Sequence, residues 1–180
     1  MGRAPRRIAA RMLSCKAMTT FDDLPLLGIC GWSGAGKTTL LEQILRHFAG
    51  RGLRIAIVKH DVHGIEVDRP GKDSDRLFRA GADVLLQGPG EGFLRVHRTT
   101  TDWVLPLDFL AERYDLVLVE GHKDMPMRKV WLLSDGETEP PAGAQRVAAV
   151  LPRDGERLAA IVPILEAILA QPHGKSLAAP

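Results

Sequence analysis

An α/β fold is what the sequence predicts: a mostly parallel β-sheet flanked by helices, with an added antiparallel strand region. Three observations predict it. Residues 26–30, Leu-Leu-Gly-Ile-Cys, form a short apolar run of the kind found in a buried parallel strand. They lead into Gly31-Trp32-Ser33-Gly34-Ala35-Gly36-Lys37-Thr38, which fits the phosphate-binding pattern G-x-x-x-x-G-K-[ST], and then into Leu40, Leu41, Ile44, Leu45 and Phe48 at helical spacing. Further along, Leu116-Val117-Leu118-Val119 ends in Glu120, an apolar strand closed by a carboxylate in the Walker B manner. Strand, glycine loop and helix, followed by such a strand, make up the P-loop NTPase architecture.

The residue types in the loop follow from what a phosphate requires. Gly31, Gly34 and Gly36 permit backbone angles that side chains forbid, so successive N–H groups can turn inward around an anion. The helix behind the loop adds the positive end of its dipole. Lys37 can reach the outer phosphates, and Thr38 can place its hydroxyl on Mg²⁺. Glu120, at the ligand-facing end of its strand, can hold Mg²⁺ through water or orient an attacking water.

Length and composition set the frame. The 180 residues suit one domain with a single core, expected over residues 25–170. With 45% hydrophobic and 26% charged residues and a net charge of +2, nothing points to nucleic acid as a partner. No apolar run approaches the length that spans a bilayer, so a membrane is not expected either. Cys15 and Cys30 are too few for a disulfide framework or a four-thiolate metal site, and a reduced, cytoplasmic setting follows by default. Cys30, inside the first strand, reads as a buried, inert thiol. Residues 1–24 are a basic leader, with Arg3, Arg6, Arg7, Arg11 and Lys16 preceding the first acidic residue, Asp22. A disordered, dispensable leader is expected, with Met18 a sensible alternative start; a transit peptide or an anion-binding arm are the other readings.

The remaining elements follow in order. A second strand is expected at 53–58, after the first helix ends at Arg51-Gly52. The polar segment Lys59-His60-Asp61-Val62-His63, Asp68 and Gly71-Lys72-Asp73-Ser74 follows that strand's carboxyl end, where open parallel sheets collect ligands. Asp73 or Ser74 can cap a short helix running to Ala80. Strands are expected at 83–86 and 92–98, a short helix at 107–111, and strands at 129–133 and 146–151. An apolar-striped helix at 158–169, interrupted by Pro163, closes the domain, and 171–180 reads as a frayed tail. Arg76, Arg79 and Arg95 read as solvated surface charges.

Several of these segments together resemble one family. Gly-Trp-Ser-Gly-Ala-Gly-Lys-Thr-Thr-Leu at 31–40, Val58-Lys59-His60-Asp61-Val62-His63, Pro70-Gly71-Lys72-Asp73-Ser74 with Arg76 and Ala80-Gly81-Ala82, and Val119-Glu120-Gly121-His122-Lys123 are similar to the MobB family of molybdopterin-guanine dinucleotide biosynthesis adaptors. The likeness runs over about residues 26–169. It implies a homodimeric P-loop protein that binds GTP with Mg²⁺ and hydrolyses it weakly. It implies as partners the molybdopterin guanylyltransferase and the proteins that insert the molybdenum cofactor. Carried over by position, Gly31, Ser33, Gly34, Ala35, Gly36, Lys37, Thr38 and Thr39 would bind the nucleotide. Thr38, Glu120 and Asp61 would belong to the magnesium site, and Lys37, Glu120 and Asp61 to catalysis. Asp68, Lys72, Asp73 and Ser74 would line the same mouth.

The guanine-reading motif Asn-Lys-x-Asp is missing. Its nearest substitute is Leu151-Pro152-Arg153-Asp154, where Asp154 either accepts hydrogen bonds from the guanine edge or lies in a plain surface turn. Two other functions would use the same loop. A small-molecule kinase would transfer the γ-phosphate to a hydroxyl, although no arginine-rich lid is evident. A nickel metallochaperone GTPase would draw on His60, His63 and His122, whose spacing is weak and lacks a cysteine pair, so that phosphate or partner contacts are the better reading.

Overall fold

A computed structural model describes residues 21–59, 68–97 and 104–171, without side-chain detail at 104–106 and 108. Strand β1 is Leu26–Cys30, followed by helix α1 (Lys37–Phe48) and strand β2 (Ile55–Lys59). Helix α2 (Asp73–Arg79) precedes strands β3 (Val84–Gln87) and β4 (Gly92–Arg95). Then come α3 (Val104–Arg113), β5 (Leu116–Glu120), β6 (Lys129–Leu132), β7 (Val147–Leu151) and α4 (Arg157–Leu169). Five strands form a parallel sheet in the order β2-β5-β1-β6-β7, and β3 and β4 form a separate antiparallel pair. The mostly parallel sheet with an added antiparallel region is thus as expected.

Burial follows strand position. All five residues of β1 and of β5 are buried, because these central strands are covered on both faces. At the sheet's edges β2 and β7 are only partly buried. Alternate residues serve opposite faces. Leu27, Ile29, Leu116 and Leu118 pack against Leu40, Leu41 and Ile44 of α1 and Ile161, Leu165 and Ile168 of α4. Leu26, Val117 and Val119 pack on the other side, against Leu107 of α3 and Met127. The spacing that marked α1 as amphipathic therefore names its buried face, except that Leu45 remains exposed. Helix α4 continues through Pro163 to Leu169.

Local differences from expectation have local causes. Strand β2 begins at Ile55 rather than at residue 53, because Arg54 bonds Asp115 through its own N–H and through its carbonyl. Helix α3 is longer than the expected 107–111. Helix α2 has Lys72 at its N-cap, with no side-chain capping bond, so neither Asp73 nor Ser74 caps it. Residues 21–24, read as the end of the leader, belong to the fold: Phe21–Asp23 form a 3-10 turn, Phe21 and Leu24 pack on the α3-side core, and Asp22 pairs with Arg146. Residues 1–20 and 172–180 lie outside the described residues.

Two buried cationic and polar features tie loops to strands. Lys129, fully buried in β6, donates from Nζ to the carbonyls of Lys123 and Met125. Burial lowers its pKa, and those two carbonyls replace the water it has lost. Cys30 is buried as expected; burial raises its thiol pKa to about 11, and Sγ donates to the Gly121 carbonyl at 3.1 Å. An inert thiol follows.

Candidate phosphate-binding site

The loop between β1 and α1 sits at the carboxyl end of the parallel sheet. Gly31 has φ +147°, and a Cβ there would lie 2.6 Å from the Leu132 carbonyl oxygen, so only glycine fits against β6. Gly36, at the N-cap of α1, is left-handed at φ 84°. That bend turns the chain into the helix with no side chain capping it. The first N–H groups of α1 are thereby left open at the loop, as anion binding requires.

Side chains from two strands meet there. The register pairs Ile29 of β1 with Glu120 of β5, and Lys59 of β2 with the same Glu120. Glu120 therefore lies beside the chain that enters the loop. Its carboxylate accepts from Thr38 Oγ1, at 3.3 Å to Oε1 and 3.4 Å to Oε2. Lys37 folds back over the loop, donating from Nζ to the carbonyls of Gly31 (3.0 Å) and Trp32 (2.7 Å). Trp32 packs edge-on against buried Trp131, ring centroids 5.9 Å apart, and carries the Lys123 ammonium 4.6 Å above its ring centre. Thr38 and Glu120 thus meet at the start of α1, Lys37 lies across the loop's own carbonyls, and Ser33 and Thr39 are exposed beside them.

Two arginines whose sequence context suggests no such role hold the loop from its α4 side. Arg157, the first residue of α4, donates from Nη1 to the Ala35 carbonyl (2.5 Å), from Nη2 to Leu133 (2.6 Å) and from Nε to Pro152 (2.7 Å). Arg153 donates to the Gly34 carbonyl at 3.2 Å and pairs with Asp135 at 3.0 Å. These bonds hold the Gly34 and Ala35 carbonyls outward, while the Ala35 N–H closes a turn onto the Trp32 carbonyl at 3.2 Å. No local sequence pattern announces these roles, since donor and acceptor lie far apart in the chain.

The other expected residues are placed differently. Asp68, Ser74 and Asp75 bond one another's segment and Arg79 and Arg95: Asp68 accepts from Ser74 Oγ at 3.0 Å, and Asp75 accepts from Gly71 N, Arg79 and Arg95. Arg95, read as a solvated charge, is instead held between the buried Asp75 and Asp68 and stacks over Phe78. Those contacts hold the Asp75 carboxyl at about 2. Lys72 and Asp73 are exposed. Asp154 lines a hollow of about 390 Å³ with Asp135 and Glu137, which contains no residue of the phosphate loop. A larger cavity, about 820 Å³, opens directly beside Gly34, Gly36 and Thr39. Asp61, His60 and His63 lie outside the described residues. Among the described residues no group of three or more His, Cys, Asp or Glu is placed to hold a metal, and no helix is long and apolar enough to cross a membrane.

A family model described as molybdopterin guanine dinucleotide synthesis protein B, MobB, matches residues 26–152, a span that contains the loop, Glu120 and strands β1 to β7. The chain belongs to the MobB family. A Haemophilus influenzae protein named molybdopterin-guanine dinucleotide biosynthesis adapter protein is 40% identical over 124 residues, 66% of this chain and 68% of its own. The Escherichia coli protein of that name is 37% identical over 146 residues, 78% of this chain and 81% of its own. The crystal structure of Bacillus subtilis MobB superposes with a TM-score of 0.58 at 26% identity, covering 78% of this chain and 97% of that one. The P-loop architecture expected from the sequence is therefore the MobB fold.

Proposed function

We propose that the chain is an adaptor of molybdopterin-guanine dinucleotide synthesis, in the cytoplasm, that binds GTP with Mg²⁺ and hydrolyses it slowly. The single observation that carries the nucleotide reading is the contact of Thr38 with Glu120 at the end of a glycine loop across which Lys37 lies. The pathway role is drawn from the relatives named above. Its partners in this reading are the guanylyltransferase and the cofactor-insertion proteins, and its working form is a homodimer.

The donor set fits magnesium. Thr38 Oγ1 and the Glu120 carboxylate are hard oxygen donors, one hydroxyl and one carboxylate, leaving further positions for phosphate and water, as Mg²⁺ prefers. Mg²⁺ held there supplies neutralising charge to the outer phosphates. Lys37, released from the Gly31 and Trp32 carbonyls, swings onto the β- and γ-phosphates. The backbone of residues 31–36 takes the remaining phosphate oxygens, with Arg153 and Arg157 holding that backbone in place. Glu120 and Asp61 orient the attacking water.

The test is GTP turnover with product analysis. Free phosphate at a slow rate, lost in Lys37→Ala, supports the reading. A phosphorylated metabolite in place of free phosphate would make the chain a kinase. Retention of the guanylyltransferase on the immobilised chain, in the presence of GTP, tests the adaptor role.

A further inference from the structure

The cavity of about 820 Å³ lies between α1 and α4 and shares Gly34, Ala35 and Gly36 with the phosphate loop. Its size is that of sites which enclose most of a small organic ligand. On the α1 side, Thr39 and Gln43 line it, and on the α4 side Leu158, Ala159 and Val162. Thr38 faces Glu120 instead, one residue and about 100° around the helix from Thr39. The outer-phosphate end of the loop, marked by Lys37, Thr38 and Glu120, is therefore distinct from the end that opens into the cavity. A triphosphate laid along the loop with its γ-phosphate at Lys37 directs its nucleoside toward the cavity.

The cavity's polar groups suit one base. His47, Arg153 and Arg157 also line it, but the two guanidiniums donate to main-chain carbonyls; Glu156 is the one carboxylate lining it among the described residues, stands at the N-cap of α4 and makes no capping hydrogen bond. An ionised carboxylate only accepts. Guanine presents two adjacent donors, N1–H and the 2-amino group, on its pairing edge, whereas adenine presents one donor beside an acceptor. Resting on the nucleotide reading above, we infer that the α1–α4 cavity receives the guanine nucleoside and that Glu156, not Asp154, reads the base. The apolar side chains of Leu158 and Val162 supply the surface against which a flat ring packs.

The experiment is calorimetric titration of the full chain with GTP, ATP and tripolyphosphate. The unaltered chain is expected to bind GTP more tightly than ATP or tripolyphosphate. Ala159→Trp, at an exposed helical position, places an indole in the cavity and is expected to weaken GTP binding about tenfold or more, leaving tripolyphosphate binding unchanged. Glu156→Gln, also at an exposed position, is expected to reduce the preference for GTP over ATP about tenfold. The inference is overturned if Ala159→Trp binds GTP as the unaltered chain does, or if Asp154→Asn abolishes the GTP preference while Glu156→Gln keeps it. Equal affinity of the unaltered chain for GTP and tripolyphosphate also overturns it, while leaving the phosphate site intact. A chain that binds neither ligand overturns the nucleotide reading, and this inference with it.

Discussion

Arg157 spends its whole donor fork on main-chain carbonyls. Three nitrogens of one guanidinium reach Ala35 in the phosphate loop, Leu133 after β6 and Pro152 after β7. Burial lowers its pKa, yet a guanidinium stays charged, so the carbonyl dipoles meet a full positive charge in a partly dry setting. Truncation leaves these three carbonyls, and that of Leu151 at 3.4 Å, without that donor. Arg157→Ala is expected to cost about 2–3 kcal/mol in denaturant unfolding and to weaken GTP binding beyond what the stability loss explains. Arg157→Lys, with a point charge in place of the fork, should recover little of either. Wild-type affinity in Arg157→Ala at a temperature where it is fully folded would show that the loop holds its shape without this residue.

At the scale of elements, the antiparallel pair β3–β4 and helix α2 are held by one acid. Asp75 is buried and accepts from Gly71 N, Arg79 and Arg95, while Arg95 stacks on Phe78 and His97 stacks on the same ring. These donors lower the Asp75 pKa from 3.8 to about 2. The folded carboxyl binds its proton less readily than the unfolded one, so its contribution to stability is complete above pH 4 and is lost as pH falls toward 2. Asp75→Asn is accordingly expected to be less stable than the unaltered chain at pH 6, with the gap in thermal midpoint narrowing between pH 4 and pH 2. A gap independent of pH would contradict the role given to this carboxylate. Arg51 and Glu166, which also pair, are both exposed, and their bridge adds little.

Over the whole molecule, what was legible in the sequence is what depends on neighbours in the chain. Strand β1, the glycine loop and α1 occupy consecutive residues, and each declares itself by spacing. Strand β5 and Glu120 declared themselves as an apolar run ending in a carboxylate, and the structure sets that strand beside β1. The loop's backing by Arg153 and Arg157 was not legible, because a guanidinium bonding carbonyls more than a hundred residues away leaves no local pattern. Arg95 was misread for the same reason: its partner Asp75 is twenty residues distant, in another element. Lys129 shows the limit from the other direction. A lysine in a strand reads as an edge or a surface, yet here it is fully buried because the loop after β5 offers it two carbonyls.

The central claim is that the loop and Glu120 act together on a magnesium-bound triphosphate. Calorimetric titration of GTP into the unaltered chain and into Glu120→Gln, with and without Mg²⁺, tests it most directly. Mg²⁺ is expected to strengthen GTP binding to the unaltered chain about tenfold or more, and Glu120→Gln to lose most of that gain while still binding metal-free GTP. A chain whose GTP affinity is indifferent to Mg²⁺, or a Glu120→Gln variant that keeps the full gain, would contradict it.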